Sequence, residues 1–329
     1  MTGAPFGVIG GGAWGTALAQ TLASDGSEVL LWAREAEVVD DINSRHENRL
    51  FLPSLALSPR IRAVSDLRSL ADLNLVLVVT PAQHMRAVLG DLPHNAQNLI
   101  LCSKGIEAES HRLMHEVARE LLPASPIAVL SGPTFAHEVA AGLPTAVTLA
   151  CEDQDVAQAL ARRIARPAFR PYASDDVAGA EVGGAVKNVL AIACGVVEGK
   201  GLGLNARAAL ISRGFAEMTR FGLAKGARPE TLAGLAGLGD LVLTCSSTAS
   251  RNFSLGKGIG EGRRAADLLA DRRTVAEGAF TAPVLKRAAD TLGVDMPIVA
   301  AVNALLSDAV SVDEVVGDLL ARPLRSEGV

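Results

Sequence analysis

The chain has 329 residues, with 31 Lys plus Arg against 36 Asp plus Glu and a formal net charge of −5. Hydrophobic residues make up 49% and charged residues 20%, which excludes a disordered chain, and the length predicts about two domains. The mildly acidic balance argues against a general nucleic-acid binder. Aromatics reach only 3%, so the apolar volume comes from Ala, Val and Leu, and the 32 glycines point to tight turns and close backbone approach.

Taken in chain order, residues 6–9 read as a short buried strand and 14–24 as a helix. A second strand follows at 28–33 and a helix at 35–45. A loop with Pro53 and Pro59 leads to a short strand near 61–64. The run LVLVVT, residues 75–80, is the clearest strand, and Pro81 stops it. NLILCS (98–103) is another strand, followed by a helix over 110–122 and strands at 127–130 and 146–150. Strands apolar on both faces and separated by helices predict a parallel sheet covered on both sides. The expected fold class is therefore an α/β N-terminal Rossmann-type doubly wound sheet. After about Tyr172 strand-like runs become scarce. Helices are expected near 183–198, 206–225, 253–261, 282–292 and 298–306, giving an all-α C-terminal domain. The expected division is 1–176 and 177–329.

Cys102, Cys151, Cys194 and Cys245 each sit in an apolar run without a CxxC pair, so buried thiols are expected rather than disulfides or a metal site. The N-terminal segment has neither a basic n-region nor a cleavage site. The longest apolar stretch, residues 182–197, contains Lys187 and is short for a membrane span. The expectation is a soluble cytoplasmic protein, with no metal and no membrane insertion.

Gly10-Gly11-Gly12-Ala13-Trp14-Gly15 fits GxGxxG immediately after a strand and at the start of a helix. In that context Gly10 permits the tight turn, Gly12 lets the backbone approach a pyrophosphate, and Gly15 allows helix–strand packing. The helix N-terminus supplies N–H groups and partial positive charge. Trp14, one of two tryptophans, falls inside this turn and is expected as a cofactor contact. Arg34 lies where an acid would hold the ribose hydroxyls of NAD. A guanidinium there suits the 2′-phosphate of NADP, so NADPH is preferred over NADH. Glu35 is the acid if the register slips by one, and a solvated Arg34 is the plain alternative.

In such sheets ligands lie beyond the carboxyl ends of the strands. Two groups stand there: Lys104, after NLILCS, and Gly132 with Thr134, after IAVLS. Further on, Lys187 is an ammonium within a run of Gly, Ala, Val and Leu. If buried it is a candidate for proton transfer; otherwise it snorkels to the surface. Asp240 follows the glycine turn GLG and either caps a helix or orients the lysine. Ser250, Arg251 and Asn252 gather a hydroxyl, a planar cation and an amide, a set that suits a phosphate dianion or, equally, a helix start. The glycines of residues 256–260 follow no strand and are read as helix or turn. His137 and Glu138 point about 100° apart on a helix and are not read as a dyad.

The segments GGGAWGTALA, SKGIE, SGPTFAHEVA, GAVKNVLAIACGV, GLGDLVLTC, SRN and VAEG, in this order, resemble the bacterial-type NAD(P)-dependent glycerol-3-phosphate dehydrogenases over nearly the whole chain. The resemblance implies reversible hydride transfer between NAD(P)H and C2 of dihydroxyacetone phosphate, feeding glycerophospholipid synthesis. It implies Lys187 as general acid/base and Asp240 as its partner and a substrate contact. Lys104, Gly132, Thr134, Ser250, Arg251 and Asn252 resemble the substrate contacts. Trp14, Arg34, Lys104, Ala136, Arg251, Val275 and Glu277 resemble the cofactor contacts, alongside Gly10, Gly12, Ala13 and Gly15 of the turn. By the same analogy the chain is a homodimer. The competing readings are a related two-domain β-hydroxyacid or ketopantoate-type dehydrogenase and a non-catalytic NADPH-sensing protein.

Overall fold

The structure, a computed structural model, describes residues 5–92, 97–270 and 276–323. The first part of the chain runs β1 (Phe6–Ile9), α1 (Ala13–Ala23), β2 (Val29–Trp32), α2 (Ala36–Arg45), β3 (Ile61–Val64), β4 (Leu75–Val78), α3 (Ala82–Gly90) and β5 (Asn98–Leu101). It continues through α4 (Met114–Leu121), β6 (Ile127–Ser131), α5 (Ala136–Ala140), β7 (Thr145–Cys151), α6 (Gln154–Ile164) and β8 (Phe169–Ser174). The strands form one sheet in the order β3-β2-β1-β4-β5-β6-β7-β8. Every residue of β1, β4 and β6 is buried, as central strands covered on both faces require. The order reverses at β1, whose neighbours are β2 and β4, and this switch point carries the glycine turn.

The sheet departs from the all-parallel expectation at one pairing. β7 runs antiparallel to β6, and β8 runs parallel to β7. The five residues of α5 rise only about 7 Å, too little to carry the chain back along β6 for a parallel crossover. α6, with 11 residues, is long enough, and β7 and β8 are parallel. The sequence reading contained neither α6 nor β8. Asp153 starts α6 by accepting the N–H groups of Asp155 and Val156. Pro171 disguises β8, yet β8 is an edge strand, where a missing N–H is tolerated. The helix expected from residue 110 starts instead at Met114. His111 has φ +57, and the Glu116 carboxylate takes the N–H of Leu113.

The rest of the chain is helical: α7 (Val177–Gly199), α8 (Gly203–Ala224), α9 (Pro229–Leu232), α10 (Asp240–Cys245), α11 (Arg251–Gly260), α12 (Ala265–Leu269), α13 (Glu277–Thr291), α14 (Pro297–Leu306) and α15 (Val312–Leu320). A π-helical turn, Leu235–Gly239, leads into α10. Among the described residues α7 alone is long and apolar enough to cross a membrane, and 94% of its most apolar window is buried. Glycines bring α7 and α11 into backbone contact. A Cβ on Gly195 would stand 2.1 Å from the Phe253 carbonyl oxygen, and one on Gly256 would stand 1.9 Å from that of Ile192. Such spacing explains how a core with few rings is filled.

By its contacts the chain divides into two units, Met1–Lys104 with Arg112–Ala180, and Gly105–His111 with Glu181–Val329.

Candidate functional site

In the first unit the glycine turn follows β1 directly. Gly10 has φ +125, and a Cβ there would meet the Val79 carbonyl oxygen at 2.8 Å. A Cβ on Gly15 would stand 1.9 Å from the Gly10 oxygen, so α1 rests against the turn itself. Gly12 is the N-cap of α1 and offers no side chain to its first-turn N–H groups. A Cβ on Gly12 would meet nothing within 4 Å, so the turn is open on that side. The first turn, which includes Ala13, carries no acid. The indole Nε1 of Trp14 is buried without a hydrogen-bond partner among the described residues. An open glycine, an uncapped helix N-terminus and an unpartnered N–H donor fit an anionic dinucleotide. At the end of β2, Arg34 is exposed and pairs with Glu35 at 3.1 Å, so the cation and the acid weighed for the ribose are bonded to one another.

The ends of β5 and β6 converge on a recess lined by Trp14, Lys104, Leu130, Ser131, Gly132, Thr134 and Val147. Lys104 Nζ donates to the Gly132 carbonyl at 3.3 Å, and Thr134 Oγ1 donates to the same oxygen at 3.3 Å. Gly132 has φ +155, and a Cβ there would press on the Val147 backbone at 3.0 Å. Ser131 Oγ, buried on this wall, has no partner among the described residues. Ala136 opens α5 nearby and is partly buried. The Cys102 thiol, just before this segment, is buried, and burial pushes its pKa up. His137 Nε2 and Glu138 Oε1 reach 3.9 Å through flexible side chains, but both are largely exposed.

In the second unit the structure decides between the two readings of Lys187. The side chain is buried, and Nζ donates to Asp240 Oδ1 at 2.6 Å and to Thr244 Oγ1 at 2.9 Å. Asp240 is 0% exposed and is the first residue of α10; the cap position belongs to Gly239. The carboxylate thus orients the lysine, and the capping alternative fails. Gly183 on α7 makes the approach possible, because a Cβ on it would stand 2.1 Å from the Ala236 oxygen in the turn that leads into α10. Thr244, one turn along α10, donates to the Asp240 carbonyl at 2.7 Å and accepts from the lysine.

Ser250 is the N-cap of α11 and its hydroxyl accepts from Phe253 N at 3.2 Å. Arg251, first in the helix, is exposed. Asn252 is buried; its amide donates to Asn188 Oδ1 at 3.0 Å and its Oδ1 accepts from Gly278 N at 2.9 Å. Both ends of that amide are therefore engaged with protein, tying α11 to α7 beside Lys187 and to α13 beside Glu277. Glu277 is the first residue of α13, and Val275 lies outside the described residues. The sequence reading passed over Thr244 and Asn188. Thr244 carries a legible signal, since i+4 from Asp240 places the two on one helix face.

A family model described as NAD-dependent glycerol-3-phosphate dehydrogenase N-terminus matches residues 5–157, and its C-terminal counterpart matches residues 176–317. The chain is 67% identical over 324 residues to a protein of Erythrobacter litoralis named glycerol-3-phosphate dehydrogenase [NAD(P)+], covering 98% of each. It is 66% identical to a protein of the same name from Novosphingobium aromaticivorans, covering 98% of this chain and 97% of the relative. Among solved structures, a glycerol-3-phosphate dehydrogenase from Coxiella burnetii superposes with a TM-score of 0.93 at 38% identity, over 98% of this chain and 100% of the other. The chain belongs to the NAD-dependent glycerol-3-phosphate dehydrogenase family.

Proposed function

We propose that the chain catalyses the reversible reduction of dihydroxyacetone phosphate to sn-glycerol 3-phosphate, using NADPH or NADH. The observation that carries this reading is the buried Lys187–Asp240 pair at 2.6 Å, an ammonium held for a proton transfer rather than for solubility. A bound nicotinamide dinucleotide would supply the hydride for C2. Lys187 then donates a proton to the oxygen at C2, and in the reverse direction it accepts the alcohol proton. Asp240 fixes the position of Nζ, and Thr244 limits its swing. Lys104 is assigned by resemblance as a further substrate contact, a cation of the kind that stabilises developing negative charge.

Arg251 grips the substrate phosphate, with Ser250 and Asn252 beside it, and so positions C2; Gly132 and Thr134 are assigned as further substrate contacts by resemblance. The turn Gly10, Gly12, Ala13, Trp14 and Gly15 holds the pyrophosphate of the cofactor. Arg34 contacts the 2′-phosphate, which makes NADPH the preferred reductant. Ala136, Val275 and Glu277 are assigned as further cofactor contacts by resemblance. In this reading residues 1–176 supply the reductant and residues 177–329 the proton. The enzyme acts as a cytoplasmic homodimer, and its product feeds glycerophospholipid synthesis.

A steady-state assay with dihydroxyacetone phosphate, run with NADPH and NADH in parallel, tests the reading. Substrate-dependent oxidation of either cofactor supports it, and its absence with both overturns it. Sedimentation of the purified protein tests the dimer.

A further inference from the structure

Asn48 lies in the loop after α2, 37 positions from the glycine turn, and is 1% exposed. Its amide Nδ2 donates to the Gly11 carbonyl at 2.8 Å and to Thr16 Oγ1 at 2.8 Å. The Thr16 hydroxyl donates in turn to the same Gly11 carbonyl at 3.3 Å, closing a small ring of hydrogen bonds. Asn48 Oδ1 accepts from Phe51 N at 3.2 Å, and the Asn48 carbonyl accepts from Leu52 N at 2.8 Å. Both amide hydrogens and the amide oxygen are therefore used. A buried amide satisfied to this degree holds one orientation.

That orientation bears on the turn. In a trans peptide the C=O and the following N–H point in opposite directions, and the described chain has no cis bonds. Two donors pin the Gly11 carbonyl toward Asn48 and Thr16, so the N–H of Gly12 is turned the other way. Gly12 is the residue whose missing Cβ leaves open space. Gly11 is itself closely packed, since a Cβ there would meet Ala33 Cβ at 2.5 Å.

We propose that Asn48, through the Gly11 carbonyl and with Thr16, is a positioning residue that presents the Gly12 N–H to the pyrophosphate of the dinucleotide. The assignment rests on the cofactor reading above. It adds a residue that the GxGxxG pattern does not contain. The loop carrying Asn48 becomes part of the phosphate site without touching the ligand.

The test is direct binding of NADPH and of ADP-ribose to the purified full chain, followed by titration calorimetry. The variants are Asn48→Ala, Asn48→Asp and Thr16→Val. Asn48→Asp keeps the shape and the acceptor for Phe51 N but sets a carboxylate oxygen against the Gly11 carbonyl. We expect both Asn48 variants to weaken NADPH and ADP-ribose at least tenfold and by similar factors. Thr16→Val should weaken them about threefold. KM for the cofactor should rise while KM for dihydroxyacetone phosphate stays within twofold, a split that partial unfolding does not produce. Wild-type affinity in a folded Asn48→Asp protein overturns the assignment. If both Asn48 variants fail to fold, unchanged affinity in Thr16→Val overturns it and weakened affinity supports it. A wild-type protein that binds neither NADPH nor NADH overturns the cofactor reading and this inference together, whereas wild-type binding with variants unaffected overturns this inference alone.

Discussion

Lys187 Nζ and Asp240 Oδ1 stand 2.6 Å apart, with 8% and 0% of their side chains exposed. The two residues are 53 positions apart and belong to different helices, α7 and α10. Removing two charges from water costs several kcal/mol per ion, and a pair of this kind is a weak source of stability. Two apolar side chains would fill the same volume at less cost. On the proposed function the pair is a proton donor held in place, with Thr244 bonded to both partners.

Lys187→Ala is expected to lower kcat by about 10²–10⁴, the usual loss for a general acid/base, with the dissociation constant for NADPH unchanged. The same variant strands a buried carboxylate, and breaking such a pair costs about 3–5 kcal/mol. A double variant, Lys187→Met with Asp240→Leu, is expected to recover most of the thermal stability and none of the activity. Thermal melts with single-turnover kinetics check both halves. Turnover retained in Lys187→Ala contradicts the assignment.

The contrast between Lys187 and its partner shows what was legible in the sequence. An ammonium in a Gly/Ala/Val helix is visible in one line of sequence, and so is the GLGD turn. That the two meet is not, because no periodicity links residues on separate helices. Strands buried on both faces announced themselves as apolar runs, which is why β1, β4 and β5 were readable. The reversal at β7 was hidden, because direction depends on whether a connecting helix can span the return. Asn48 was also unreadable. A lone asparagine in a loop looks like turn chemistry, and its contact with Gly11 exists only after the sheet has formed.

Arg34→Ala tests the choice of reductant. The Arg34 side chain is 75% exposed and pairs only with Glu35 among the bonds described, so the fold asks little of it. The expected outcome is a rise in KM for NADPH of about tenfold, in line with loss of one charge-assisted contact to phosphate, and little change for NADH. Steady-state kinetics with both cofactors check it. Equal losses for the two would remove Arg34 from the 2′-phosphate.

Arg251→Ala addresses the phosphate of the substrate. Arg251 is exposed at the first position of α11, while Ser250 caps the helix and Asn252 is engaged with Asn188 and Gly278. Of the three, Arg251 is the residue whose planar cation can reach a ligand without dismantling the helix start. A raised KM for dihydroxyacetone phosphate with a smaller change in kcat is expected, and thermal stability should stay within about 0.5 kcal/mol, as for an exposed site. An unchanged KM returns Arg251 to the role of a solvated helix-start residue.

Glu217 gives the second unit a pH dependence unrelated to catalysis. It lies on α8, is 1% exposed, and its carboxylate accepts from Ile298 N at 2.8 Å and from Val299 N at 3.3 Å at the start of α14. Burial raises its pKa from 4.5 to about 7, outweighing the two N–H donors and Arg220, with Asp295 adding a further push upward. Asp295 is itself bonded to Arg322, and its carbonyl accepts from Arg220. Between the unfolded and folded pKa values the folded chain binds more protons than the unfolded one, so stability falls as pH rises through that window. The shift corresponds to about 3 kcal/mol, fully expressed above pH ~8 and absent below pH ~4. Glu217→Gln keeps one acceptor for Ile298 N and removes the titration. Denaturant unfolding from pH 5 to pH 8 is therefore expected to show a shallower decline in the variant than in the wild type. Parallel pH profiles would show that Glu217 does not titrate in this range.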